Sequence, residues 1–284
     1  MEAVLAALEA GDGALEAVTA GAVVLEDHPE YNAGTGASCR LDGRTIEMDA
    51  SLMDDRGRIG AVGAIERVKN PIKVARIVLD SPHILIVGPA ATRLARNFGF
   101  ADHDPSTPSS RKNFEDVARQ LATRELPAWR QKWLELDLER YWNFDAPYAP
   151  VFGEPGCDTI GVVASSGDSL AVALSTGGAS PMLAGRIGDT PLPGAGFWAS
   201  PHAAVAMTGV GEEIARGLFA KWIHDRIADG IAPQAACEAA VARFPPGAPV
   251  GAIAVSPDAW GTAANRDMAW AAWTGDTVRE SRDA

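Results

Sequence analysis

The sequence predicts an α+β fold in which layered sheets carry helices on their outer faces. Three observations lead there. Strand-like runs come in neighbouring pairs, at 45–53 with 59–68 and at 159–164 with 170–176. Helical patterns also come in blocks, as at 211–227 followed by 233–243. The strict strand–helix alternation that a doubly wound parallel sheet requires is missing. No internal repeat is evident, and 284 residues suit one large domain or two small ones with a sizeable core.

The elements follow in order. Residues 3–26 read as helix, with Leu5, Leu8, Leu15, Val18, Ala22 and Leu25 near one face, broken by Gly11 and Gly13. A tight segment follows at 29–36, where Asn32, Gly34 and Gly36 suit backbone turns. The strands 45–53 and 59–68 turn at Asp55-Arg56-Gly57. A helix runs from Asn70-Pro71 to about Leu79, with proline tolerated in its first turn. Residues 84–87 read as a short buried strand ending at Gly88. Residues 101–156 change character: a Pro-Ser-Thr-Pro-Ser-Ser run, a charged helix around 112–136, and aromatics concentrated between Trp129 and Phe152. This stretch reads as a variable, partly mobile connection, and a helical surface or lid fits it equally. The aromatics are expected to pack on the body. A hairpin then joins 159–164 to 170–176 through Ser165-Ser166-Gly167-Asp168-Ser169. A strand at 202–208, helices at 211–227 and 233–243, and strands near 250–256 and 268–274 close the chain.

Composition narrows the function classes. The 37 acidic against 25 basic side chains give a net charge of −12, which argues against nucleic acid as a partner. No apolar run reaches the roughly 20 residues that span a bilayer, and the start, Met1-Glu2-Ala3-Val4, lacks the basic residues of a secretion signal. Three widely spaced cysteines (Cys39, Cys157 and Cys237) suggest a reducing, cytoplasmic setting and form no metal-type pair. The five histidines show no zinc spacing, and His202 reads as an edge residue. Gly34-Thr35-Gly36 and Gly209-Val210-Gly211 complete no dinucleotide fingerprint. Asp49, Asp54 and Asp55 read as solvated acids of a strand and its turn.

The hairpin has a consequence for chemistry. With its turn centred between Gly167 and Asp168, Thr159 faces Thr176 and Ala164 faces Ala171. A slip of one residue would separate the two threonines. Threonine is also a favoured strand residue, so the pair alone marks no site.

The surrounding motifs supply the context. They are Cys157-Asp158-Thr159-Ile160-Gly161-Val162-Val163, Ser175-Thr176-Gly177-Gly178, Gly185-Arg186-Ile187-Gly188-Asp189-Thr190-Pro191, Gly194-Ala195-Gly196 and Thr208-Gly209-Val210-Gly211-Glu212. Earlier in the chain stand Leu25-Glu26-Asp27-His28-Pro29-Glu30-Tyr31-Asn32-Ala33-Gly34-Thr35-Gly36, Met48-Asp49-Ala50 and Arg67-Val68-Lys69-Asn70-Pro71. In this order, over nearly the whole chain, they resemble the plant-type L-asparaginase and isoaspartyl peptidase family of threonine N-terminal-nucleophile hydrolases, related to glycosylasparaginase.

The resemblance implies a four-layer αββα sandwich of the N-terminal-nucleophile hydrolase type. It implies a single domain, 1–284, that cleaves itself between Asp158 and Thr159 into 1–158 and 159–284. Thr159 would be the nucleophile and its freed α-amine, with an ordinary pKa of about 8, the base. By the same resemblance Thr176 tunes the Thr159 hydroxyl, and Asn32 has a supporting role near it. Arg186 clamps a substrate α-carboxylate and Asp189 an α-ammonium. Thr208 and the Gly209 N–H form the oxyanion hole. The implied substrates are L-asparagine and β-aspartyl dipeptides, with glycosylasparaginase activity as the alternative. Catalysis needs no cofactor. A structural sodium ion is implied on the backbone carbonyls of Leu25, Glu26, His28, Tyr31, Ala33 and Thr35, and the expected assembly is a homodimer of processed protomers.

The chain departs from the family in three places. Family members open with a strand and a His-Gly-Gly-Ala-Gly-like loop, roughly thirty residues at typical element lengths, before the point where Met1 stands. That strand is expected beside the 159–176 hairpin, so an exposed strand edge is expected there. Cys157 stands where glycosylasparaginases have histidine, and residues 179–184 lack the family's Asn-Lys pair. A shortened, inactive member kept as a structural or interaction module is the reading from another class.

Overall fold

The computed structural model describes residues 1–112, 123, 125–148, 159–167, 169–275 and 277–281. Its first strands are β1 (Glu47–Asp54), β2 (Ile59–Glu66) and β3 (Leu85–Val87). The hairpin strands are β4 (Thr159–Ser166) and β5 (Ser169–Thr176). Together these five form one sheet in the order β3-β2-β1-β5-β4, antiparallel except at β2–β3. A second, antiparallel sheet orders β6 (Phe197–Ser200), β7 (Ala203–Gly209), β8 (Val250–Val255) and β9 (Trp260–Ala264). A small hairpin, β10 (Ala271–Trp273) with β11 (Val278–Glu280), follows.

Strand periodicity sorts the side chains into layers. In β5, Ala171 and Ala173 face a core shared with helices, whereas Leu170, Val172 and Leu174 face the other sheet. In β7, Ala204 and Ala206 face that same inter-sheet core, while Ala203, Val205 and Met207 face the opposite way. The first helical layer holds α1 (Glu2–Glu9), α2 (Gly13–Asp27), α3 (Pro71–Leu79) and α4 (Gly88–Asn97). Of these, α2, α3 and α4 pack on the five-stranded sheet and α1 packs on α2. After α5 (Lys132–Glu135) and α6 (Gly211–Gly217), the helices α7 (Phe219–Ala228) and α8 (Pro233–Arg243) cover the four-stranded sheet. Three cores between four layers make an αββα sandwich, as expected.

β4 is an edge strand, as expected, and walls a cleft of about 990 Å³ with β8, β9 and the 268–275 segment. Helix α4 escaped the sequence reading because its buried face is built on the small residues Ala91 and Ala95, with Leu94 packed beside them. β6, β9 and β11 were missed as well, being short and flanked by turns. The strand ending at Gly88 is not buried: Ile84 and Val87 are exposed, because β3 lies at the sheet's other edge. The helix expected at 211–227 is split at Leu218, which adopts a left-handed conformation (φ 46°). Phe219 is thereby buried against Phe244, with ring centroids 5.3 Å apart.

The connection is less regular than one charged helix. Residues 108–112 are helical, 125–127 are not, a 3-10 turn spans Ala128–Arg130, and α5 is brief. Pro127 accounts for the interruption. Trp133, Leu134, Leu138, Trp142 and Phe144 pack with Leu126 on Leu41 and Leu183, so some of the aromatics cover the body as expected, whereas Tyr141 and Tyr148 are exposed. Phe152 lies outside the described residues.

Candidate active site

The hairpin register places Thr159 opposite Thr176 and Ala164 opposite Ala171, as the turn position predicts. The Thr159 hydroxyl donates to Thr176 Oγ1 at 3.4 Å, and the Gly178 N–H donates to the same oxygen at 3.0 Å. Both threonines line a small pocket with Gly178, Ala179, Arg186, Gly188, Asp189, Thr190 and Gly209. Five of the predicted residues (Thr159, Thr176, Arg186, Asp189 and Gly209) therefore converge. Thr208 does not line this pocket; it faces the larger cleft, which also reaches Thr159. Asp158 lies outside the described residues.

The two charged residues differ in state. Arg186 donates from Nε and Nη2 to the two carboxylate oxygens of Glu212, each at 2.9 Å. Its ion partner is thus Glu212 at the start of α6, and its Nη1 lies 3.8 Å from Met182 Sδ. Asp189 is buried, and its Oδ2 has no hydrogen-bond partner among the described residues. Burial pushes its pKa up to about 7, against a pull downward from Arg186. Gly196 and Gly211 leave room for it: a Cβ at either would stand 2.9 or 2.8 Å from an Asp189 carboxylate oxygen. An orphaned buried carboxylate beside an arginine is arranged to receive a cationic group.

Asn32 does not line the pocket. It shapes the turn after Thr176: its side-chain amide donates to the Gly178 carbonyl at 2.6 Å, and its own carbonyl accepts the Gly177 N–H at 2.7 Å. Its Oδ1 accepts the Ser38 N–H at 2.8 Å. Gly177 is confined by this contact, since a Cβ there would meet Asn32 Oδ1 at 2.3 Å.

Three buried charges were missed or misjudged. Asp49 and Asp54 are buried rather than solvated. Asp49 stands opposite Thr176 on the neighbouring strand and accepts the Ala64 N–H at 2.8 Å across a bulge, where Ala64 has φ 47°. Burial raises its pKa, while the Ala64 and Gly188 N–H groups and Arg40 favour its charge. Asp54 instead organises the turn, accepting from the Arg56 and Arg58 backbone N–H groups and pairing with the Arg58 guanidinium. Arg40, 0% exposed, drew no attention in the sequence because no motif contains it; it pairs with Glu47 at 3.0 Å.

The 25–35 loop is drawn together by its own backbone. The Thr35 N–H donates to the Glu26 carbonyl at 2.8 Å, and the Tyr31 N–H to the His28 carbonyl at 3.3 Å. A Cβ at Gly36 would stand 2.5 Å from the Tyr31 carbonyl oxygen and 2.7 Å from that of Pro29, so the loop's carbonyls close on a glycine cradle. Neutral oxygen donors of this kind suit a hard cation. The Glu26 side chain turns the other way, accepting the Ser175 hydroxyl at 2.6 Å and the Ile72 N–H at 3.0 Å, with its pKa pushed by burial to about 8. Among the described residues no group of three His, Cys, Asp or Glu side chains is placed to hold a metal, and no helix is long and apolar enough to cross a membrane.

Two sheets between helical layers, with a threonine hydroxyl at the head of the edge strand β4, define the N-terminal-nucleophile hydrolase class of fold. Comparison with known proteins narrows the class. The chain belongs to the asparaginase family, whose model matches residues 1–281. It is 40% identical to a plant-type L-asparaginase of Pyrococcus furiosus over 232 residues, 80% of this chain and 71% of that one. It is 38% identical to an isoaspartyl peptidase of Salmonella typhimurium over 217 residues (75% and 64%). It is 33% identical to an N(4)-(beta-N-acetylglucosaminyl)-L-asparaginase of Elizabethkingia miricola over 241 residues (84% and 63%).

Proposed function

We propose that the protein cleaves itself before Thr159 and then hydrolyses the side-chain amide of L-asparagine and the β-aspartyl bond of isoaspartyl dipeptides. The observation that carries this reading is the pocket itself: opposed Thr159 and Thr176 hydroxyls beside Arg186 and an orphaned, buried Asp189. The similarity to a plant-type L-asparaginase and an isoaspartyl peptidase supports it.

In this reading the Thr159 hydroxyl attacks the Asp158 carbonyl, the acyl group moves from nitrogen to oxygen, and water releases Asp158. The freed α-amine then takes the hydroxyl proton as Thr159 attacks the substrate amide carbon. Thr176 Oγ1 accepts the hydroxyl hydrogen bond and fixes its direction. Arg186 receives the α-carboxylate on the part of its guanidinium that Glu212 leaves open, and Asp189 receives the α-ammonium. The Gly209 N–H, with Thr208 behind it, meets the oxyanion as charge develops. The α-ammonium returns its proton to the leaving nitrogen, which departs as ammonia from asparagine or as the free second amino acid from a dipeptide; water then hydrolyses the acyl-enzyme, regenerating Thr159 and releasing aspartate.

The carbonyls of Leu25, Glu26, His28, Tyr31, Ala33 and Thr35 would hold a sodium ion, which orders the loop that carries Asn32. The buried free thiols Cys39 and Cys237 support a cytoplasmic setting. A homodimer of processed protomers is the assembly that the family resemblance supports, and sedimentation of the processed protein measures it.

Intact mass of freshly purified protein tests the reading. The expected masses are those of 1–158 and 159–284, with Thr159→Ala remaining whole. β-Aspartyl-leucine and L-asparagine are expected to release aspartate. Release from a glycosylated asparagine alone would move the assignment to glycosylasparaginase. An intact, inactive wild-type chain would assign it to a structural module.

A further inference from the structure

Arg40 is the largest fully buried side chain among the described residues, and burying a charge is costly unless it is paired and hydrogen-bonded. Here each of its three nitrogens has an acceptor. Nε donates to Glu47 Oε2 at 3.0 Å, Nη2 to the Glu47 carbonyl at 2.8 Å, and Nη1 to the Gly177 carbonyl at 3.0 Å. Glu47 Oε2 also accepts the Gly185 N–H at 2.7 Å. The pair therefore grips the connection after β5 at two points, Gly177 and Gly185.

Each grip leads to a site residue. Gly177 is followed by Gly178, whose N–H donates to Thr176 Oγ1, and Thr176 in turn holds the Thr159 hydroxyl. Gly185 immediately precedes Arg186, and both Gly178 (φ 84°) and Gly185 (φ 72°) have left-handed backbones that few side chains would hold. A buried ion pair is weak evidence for stability, since well-packed apolar replacements are often neutral or better. Its geometry instead fits the placement of groups to within fractions of an ångström.

We propose that Arg40 and Glu47 are positioning residues for the two halves of the site: Arg40 sets the turn that orients Thr176, and Glu47 sets the turn that presents Arg186. The proposal rests on the hydrolase reading and adds to it a division of labour. Disturbing Arg40 acts on the nucleophile and so on kcat. Disturbing Glu47 acts on substrate holding and so on KM.

Four variants of the full chain, with rates on β-aspartyl-leucine normalised to the processed fraction, test this. Arg40→Lys, which cannot reach Glu47 and Gly177 with one planar fork, is expected to lower kcat about tenfold with KM nearly unchanged. Glu47→Ala is expected to raise KM about tenfold, and Glu47→Gln, which keeps an acceptor for Gly185, to restore most of it. The double replacement Arg40→Met with Glu47→Leu is expected to melt near the wild type yet lose activity on both counts. Wild-type kcat and KM in the double variant, or equal changes of both constants in the single variants, would overturn the proposal. Hydrogen exchange at the Gly178 and Gly185 amides provides a readout without turnover. Gly178 should exchange faster in Arg40→Lys and Gly185 faster in Glu47→Ala, and unchanged exchange at both would overturn the proposal. If the wild type hydrolyses nothing, the hydrolase reading fails and the exchange arm alone decides the positioning role.

Discussion

Asp189 shows how a single residue makes the site conditional on pH. Its carboxyl, ordinarily near 3.8, is held near 7 by burial, so without substrate it keeps its proton through most of the acidic range. A protonated acid cannot hold an ammonium group by charge. KM for a substrate with a free α-amine is therefore expected to rise as pH falls below about 7, by up to about tenfold per unit. Asp189→Asn should abolish that slope and raise KM throughout. A KM flat between pH 5.5 and 8 in the wild type would remove Asp189 from substrate binding. Stability runs in the same window with a defined sign. Because the folded pKa is raised, the native state holds a proton that the unfolded state has lost between about 4 and 7. The group therefore costs stability progressively as pH rises across that interval. Glu26, raised to about 8, adds to the trend in the same direction. Saturating aspartate at pH 8 is expected to recover part of the loss, measured as a rise in melting temperature.

The hairpin of β4 and β5 is the element in which the sequence was most legible. Two strands and a short turn fix a register, and the register alone puts two hydroxyls together. Arg186 and Asp189 from one segment and Gly209 from another converge on them. No spacing rule relates residues that meet only through sheet order, so the motifs and their resemblance, rather than periodicity, located these. Burial was harder to read: Arg40, in no motif, reads as one more charged side chain in a polar stretch, and Asp49, although in a motif, as a solvated strand acid. Asp49 is buried because β1 is covered on its two faces, and Arg40, ahead of β1, is buried against Glu47 and the turn at Gly177. The split at Leu218 was equally hidden, since the Phe219–Phe244 contact that accompanies it joins residues far apart in sequence. At this scale the turn after β5 yields a prediction. Gly177 has no room for a Cβ against Asn32 Oδ1 and Ala37, so Gly177→Ala is expected to displace Asn32 and slow both processing and turnover by at least about tenfold. A fully processed Gly177→Ala protein with wild-type kcat would show that the turn tolerates the shift.

In the whole molecule, the proposed break before Thr159 falls inside a sheet, not between domains. β5 pairs on one side with β4, from the same proposed fragment, and on the other with β1, from the opposite one. The β1–β5 ladder runs from Asp49 with Thr176 to Asp54 with Ala171, and α2 lies across both β4 and β5. The inter-sheet core likewise mixes Met53 with Leu170, Phe197 and Ala204. Neither 1–158 nor 159–284 can bury its own apolar faces alone, so cleavage should leave the two chains held by the same contacts that fold the precursor. The processed protein is expected to elute as one species in native gel filtration and to melt in a single transition. The linkage differs from that of the uncleaved chain in one measurable respect: unfolding a processed protomer also dissociates it. Its melting temperature should therefore rise with protein concentration more steeply than that of Thr159→Ala, whose protomer stays covalently continuous. Comparing the two proteins over a hundredfold concentration range separates this effect from any dimerisation they share. Separation of the fragments in native buffer, or identical concentration dependence in both proteins, would mean that the sheet does not hold the halves together as its pairing predicts.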